Sequence, residues 1–86
     1  MKDLHRFNSK LPSVETILQK GIYQHYKGKQ YEVVGVARHS ETLEEVVVYR
    51  ALYGEFGLWV RPIEMFLEYV EVTGTQRPRF KLLSLK

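Results

Sequence analysis

His25, His39 and Glu41 are the residues of this chain whose types could do acid–base or metal chemistry. Imidazole titrates near neutrality, and both imidazole and carboxylate ligate metal ions. Their spacing argues otherwise. No HxH, HxxxH or HExxH pattern occurs, and the third histidine, His5, lies in a polar N-terminal stretch. Ser40 follows His39 directly, but a neighbour in sequence is not a nucleophile held against its base, and no motif places a third group. A turn whose Ser40 and Thr42 hydroxyls bond nearby amides accounts for this run. Lys27-Gly28-Lys29 lacks the several glycines leading into a helix that a phosphate loop needs. Cysteine is absent, which removes thiol nucleophiles, disulfides and Cys-based zinc sites.

The aromatic residues form a richer set. Trp59 and Arg61 are two residues apart, so on a strand they project to the same side. Aromatic faces beside an arginine suit stacking on a base, a Pro-rich peptide or a modified side chain. A small domain also needs aromatics to fill its core, and that absorbs most of them. Arg61 is harder to absorb, and Glu41, Glu64 or a ligand anion would be its natural partner. The candidate ligand surface is therefore Tyr26, His39, Glu41, Tyr49, Trp59 and Arg61, with no catalytic residue, metal ligand or cofactor assigned.

These groups must be positioned by short elements. Ser13 is a potential N-cap for a helix over residues 14–20, with Val14, Ile17 and Leu18 on one stripe and Gly21 as its stop. Two turns of helix cannot stand alone in water and must pack on something. From Gly21 the period changes towards two, which predicts strands over 22–26, 31–39, 45–53, 58–61 and 67–72. The turns between them carry Gly28, residues 40–44 and Gly54 with Gly57, and Pro62 opens a single helical turn over 62–66.

Alternation places Tyr31, Val33, Ala37 and His39 on one face of the second strand, with Val34 and Val36 on the other. In the third, Val47, Tyr49, Ala51 and Tyr53 oppose Val46, Val48 and Leu52. Both strands are apolar on both faces at their centres. Something must cover the outside of the sheet, whether the first helix, the apolar end of the chain or a second subunit.

Four runs stand out in order. They are Gly21-x-Tyr23-x-His25-Tyr26-Lys27-Gly28, Ala37-x-His39-Ser40-Glu41-Thr42, Val48-Tyr49-x-x-Leu52-Tyr53-Gly54 and Trp59-Val60-Arg61-Pro62-x-x-Met65-Phe66. Arg77-Pro78-Arg79-Phe80 follows as a closing element. Taken together they resemble a bacterial family of small proteins known as a domain of unknown function, over residues 21 to about 80. The resemblance implies an SH3-like barrel roll and implies no activity; residues 1–20 fall outside it.

With 86 residues the chain is one domain, and its 44% apolar and 27% charged content excludes disorder. No apolar stretch is long enough for a membrane span, and no signal-peptide core follows the N-terminal charges, so a cytoplasmic protein is expected. The net charge of +3 is unevenly distributed. Residues 1–29 carry +4, residues 30–72 carry −5 and residues 73–86 carry +4. Such a chain offers a basic surface only if its two ends fold onto the same face.

The expected fold is mainly β, a five-stranded SH3-like barrel over 21–80, with a helix-bearing extension at 1–20 and a tail at 81–86. The expected function is a non-catalytic binding module for a peptide, protein or nucleic-acid ligand. The rival readings are a small hydrolase or metal-dependent enzyme using His25, His39 and Glu41, and a structural subunit of a homo- or hetero-oligomer. No membrane partner is expected.

Overall fold

A computed structural model describes residues 18–86 of the chain. Among them are seven strands and one helical turn: β1 Gly21–His25, β2 Gln30–Arg38, β3 Glu45–Ala51, β4 Leu58–Pro62, α1 Ile63–Phe66, β5 Tyr69–Val72, β6 Thr75–Pro78 and β7 Phe80–Leu85. The fold is mainly β, as the alternation predicts. A five-stranded antiparallel sheet runs in the order β4-β3-β2-β1-β7, and β5 and β6 make a separate hairpin. A four-strand meander followed, after a helical turn, by a last strand that returns beside the first is the SH3-like roll.

The C-terminal third departs from expectation. Residues 67–72, predicted as the closing strand, provide β5 and then turn back through Thr73-Gly74 into β6. The strand that closes on β1 is β7, built from residues expected to be a tail. Phe80 and Leu82 of β7 are turned towards the core, while Lys81 and Leu83 are exposed. This short alternation is enough for a strand once β1 supplies the pairing. The predicted N-terminal helix lies outside the described residues in its first four positions; Leu18, Gln19 and Lys20 are neither helix nor strand.

A register shift between Val33 and Gly35 corrects the expected faces of β2. Before it, Val33 lies opposite Tyr49 and is buried; after it, Val36 lies opposite Val47. Such a bulge adds one residue and reverses the parity of everything beyond it. Ala37 and His39 therefore do not share a face with Tyr31 and Val33. In β3 the expected inner set holds, with Val47, Tyr49 and Ala51 all buried. Val46 is also buried on the opposite face, so the sheet is covered there on both sides. That cover does not reach edge strand β4, where Leu58 and Val60 are exposed.

The core gathers Tyr23, Val33, Val47, Tyr49, Phe66 and Phe80. Pro62 ends β4 immediately before α1, whose short turn swings Phe66 inward to stack on Phe80 at 4.1 Å between ring centroids. Phe80 also meets Tyr31, Tyr49 and His25 edge-on. This one ring ties the last strand to the meander and lies beneath the aromatic surface described next. Among the described residues no helix is long and apolar enough to cross a membrane.

Candidate functional site

Pairing of β3 with β4 sets Trp59 opposite Tyr49 and Arg61 opposite Val47, so both project to the inner face of the sheet. Tyr31 enters the same corner from β2, opposite Ala51, and Tyr53 follows β3 into the next turn. Together Tyr31, Tyr49, Tyr53, Trp59 and Arg61 line a hollow of about 210 Å³. Tyr31 meets Tyr49 and Tyr53 edge-on at 5.3 and 5.6 Å, and its hydroxyl shares a 2.8 Å hydrogen bond with that of Tyr53. Burial, then that hydrogen bond, pushes the Tyr31 phenol up to about 12.

Arg61 is held on two sides. Its Nε donates to the Tyr49 hydroxyl at 3.2 Å, and its guanidinium carbon lies 5.6 Å from the Phe80 ring centroid. Neither Glu41 nor Glu64 pairs with it, and among the described residues its two Nη groups have no hydrogen-bond partner. Trp59 caps the hollow and is 58% exposed, far above what a core tryptophan would show.

A second hollow lies beside the first, lined by Gln24, His25, Tyr26, Gly28, Arg77, Pro78 and Lys81. Here Tyr26 lies against the His25 ring at 4.6 Å, and the Tyr26 amide donates to the Arg79 carbonyl. His25 Nδ1 accepts the Lys27 amide, which fixes the β1–β2 turn. Burial, followed by the positive charges of Arg61, Arg79 and Lys27, holds the His25 imidazole below its ordinary value. The histidine is thus kept neutral near pH 7 and sits among cations.

His39 and Glu41 are elsewhere. His25 stands at one end of β2 and His39 at the other, roughly 30 Å apart along nine extended residues. The His39 Nδ1 accepts the amides of Glu41 and Thr42 at 3.1 and 3.2 Å, and the Thr42 hydroxyl accepts the amide of Glu44. That is turn chemistry of the kind the sequence suggests, with the imidazole taking the part expected of Ser40. Among the described residues no three His, Asp or Glu side chains converge to hold a metal ion. The His25–His39–Glu41 centre of the enzyme reading is not assembled.

Of the six candidate ligand residues, Tyr49, Trp59 and Arg61 come together, Tyr26 lies in the adjoining hollow, and His39 and Glu41 are remote. Tyr31 and Tyr53 join this hollow although the sequence places neither in the candidate ligand surface. A signal for both existed: a β2–β3 hairpin in which Tyr31 opposes Ala51 must bring Tyr31 beside Tyr53.

The family model described as "Protein of unknown function (DUF1653)" matches residues 21–82. A solved structure of a DUF1653 protein from Bordetella bronchiseptica is similar to this chain, with 37% sequence identity and a TM-score of 0.74. The likeness covers 80% of this chain and 91% of that one. No curated protein matches. With a matching model over most of its length and a solved relative of the same fold, the chain belongs to the DUF1653 family.

Proposed function

We propose that the protein is a non-catalytic binding module whose ligand surface is the hollow of Tyr31, Tyr49, Tyr53, Trp59 and Arg61. One observation carries this reading. Arg61 is oriented by Tyr49 and Phe80, yet among the described residues both its Nη groups are left without a partner beside an exposed Trp59. A guanidinium held by its Nε and by the ring beneath it keeps its two Nη groups to donate to an incoming anion, and the flanking rings offer flat apolar faces. The arrangement suits a ligand that carries a planar group next to a negative charge.

Trp59 is the sole tryptophan, so its fluorescence reports on this hollow alone. Titration with panels of peptides and short RNA or DNA should give a saturable change for at least one class, and Arg61→Ala should weaken it at least about tenfold, the scale of a charged hydrogen bond. Silence across every panel would sink the proposal.

A second reading as a structural subunit draws on one feature, the exposed Leu58, Trp59 and Val60 on edge strand β4. Light scattering addresses its homo-oligomer form, and a strictly monomeric protein would count against it.

A further inference from the structure

The two hollows have no lining residue in common, but Phe80 contacts residues of both. Phe80 lies under Arg61 and touches Tyr31 and Tyr49 on one side and His25 on the other. Cations surround this corner from both ends of the chain. Lys27 and Lys29 come from the β1–β2 turn, Arg61 from β4, and Arg77 and Lys81 from β6 and β7. Pairing of β1 with β7, and the Tyr26–Arg79 backbone bond, are what bring the two basic ends together. Among the described residues this sets Lys27 and Lys29 of the first basic segment near Arg77 and Lys81 of the last.

Among the described residues no carboxylate lines either hollow. Glu68 is taken by Arg79 at 2.9 Å, and among the described residues Lys27, Lys29, Arg61, Arg77 and Lys81 have no ion-pair partner. Lys29 instead lies 4.5 Å from the Tyr53 ring centroid, at the rim of the aromatic hollow. Glu44, Glu45 and Glu64 line a separate hollow at the far end of β3.

Size then narrows the ligand. Drug-sized molecules occupy clefts of roughly 300 to 1,000 Å³, so a hollow of about 210 Å³ takes one ring system and leaves the rest of the ligand on the surface. A ligand with one flat group inserted and several negative charges laid along a cationic surface is a polyanionic chain with rings.

Building on the binding reading above, we infer that this face binds single-stranded nucleic acid. One base enters the Trp59–Tyr31–Tyr53 hollow, a phosphate meets the open Nη groups of Arg61, and the strand continues past His25 and Tyr26 to Arg77 and Lys81. Stacking needs unpaired bases, so a duplex is a poor ligand.

The test follows Trp59 fluorescence while intact protein is titrated with oligo-U, oligo-dT, a duplex of matched length and a Glu-rich peptide, at several salt concentrations. Single strands should bind best, with affinity falling as salt rises by a log–log slope of about 0.7 per phosphate contacted. Arg77→Glu with Lys81→Glu, both exposed and outside the aromatic hollow, should weaken binding at least about tenfold and flatten that slope. Trp59→Ala, followed by the anisotropy of a dye-labelled oligo-U because the intrinsic probe is gone, should cost at least about fivefold through lost stacking. Circular dichroism checks that each variant folds.

Peptide binding without oligonucleotide binding would overturn the nucleic-acid inference and leave the binding module standing. Tighter binding of duplex, or indifference to the Arg77/Lys81 reversal, would overturn the proposed track. No response to any probe would overturn both readings.

Discussion

His25 shows how one side chain can be read in two ways until its neighbours are known. Its type suggests acid–base chemistry, but its Nδ1 is spent on the Lys27 amide and its ring lies between Tyr26 and Phe80. Burial is the first cause of its lowered titration point, and Arg61, Arg79 and Lys27 add to it. The imidazole should therefore titrate below its ordinary value of about 6.5, as nuclear magnetic resonance of its ring protons would show. Arg61→Ala should raise that midpoint without restoring it fully, because burial remains. The sign for stability follows. The unfolded chain takes up the proton first as pH falls, so His25's contribution is complete above about 6.5 and is lost on acidification through the lower folded midpoint. Denaturation midpoints should drop across that window, and the drop should shrink in His25→Gln. An unshifted His25 titration would show that its surroundings are more open and less positive than these contacts imply.

At the scale of elements, the first four strands were legible because each is rich in β-branched and aromatic residues and bounded by a glycine, a proline or a polar turn. The last two were hidden for different reasons. Thr75–Pro78 has an apolar content too low to signal a strand, and it exists because the Thr73-Gly74 turn, with both residues at positive φ, folds it back on β5. Phe80–Leu85 looks like a tail because its partner, β1, is sixty residues away in sequence and no local pattern reveals such a pairing. The Val33–Gly35 bulge had a quiet marker, a glycine inside a strand pattern, and it decides that His39 leaves the face of Tyr31. The β1–β7 pairing rests on Gly21. A methyl group there would run into the Ser84 backbone carbonyl, which cannot move aside as a side-chain tip would. Gly21→Ala should therefore destabilise the protein by about 1 to 3 kcal/mol in denaturant unfolding, a cost typical of overpacking. Hydrogen exchange should quicken first at the β7 amides. Unchanged exchange there would mean that β7 holds the sheet by other contacts.

For the whole molecule, the aromatic hollow and the core prove to be one structure. The Trp59–Arg61 pair was visible in the sequence through strand parity, whereas the unity of site and core was not, since it depends on Phe80 arriving from β7 and Phe66 from α1. Their rings stack in parallel, and the same Phe80 supports Arg61 from below. A domain of 86 residues has a total stability of roughly 4 to 13 kcal/mol at about 0.05–0.15 kcal/mol per residue. Truncating a fully buried phenylalanine costs about 3 to 5 kcal/mol, which is a large share of that total. Phe66 is 1% exposed, so Phe66→Ala should remove a large share of the margin and lower the thermal midpoint by at least about 12 °C, at roughly 4 to 8 °C per kcal/mol. Phe66→Leu, which keeps much of the volume, should lose far less. The melt must be followed by circular dichroism, because Trp59 is already exposed in the folded state and reports weakly on unfolding. Ligand binding in Phe66→Ala should weaken in step with the folded fraction, since the support beneath Arg61 goes with the core. A midpoint that hardly moved would show that α1 is an ornament on the sheet, and that the site stands without it.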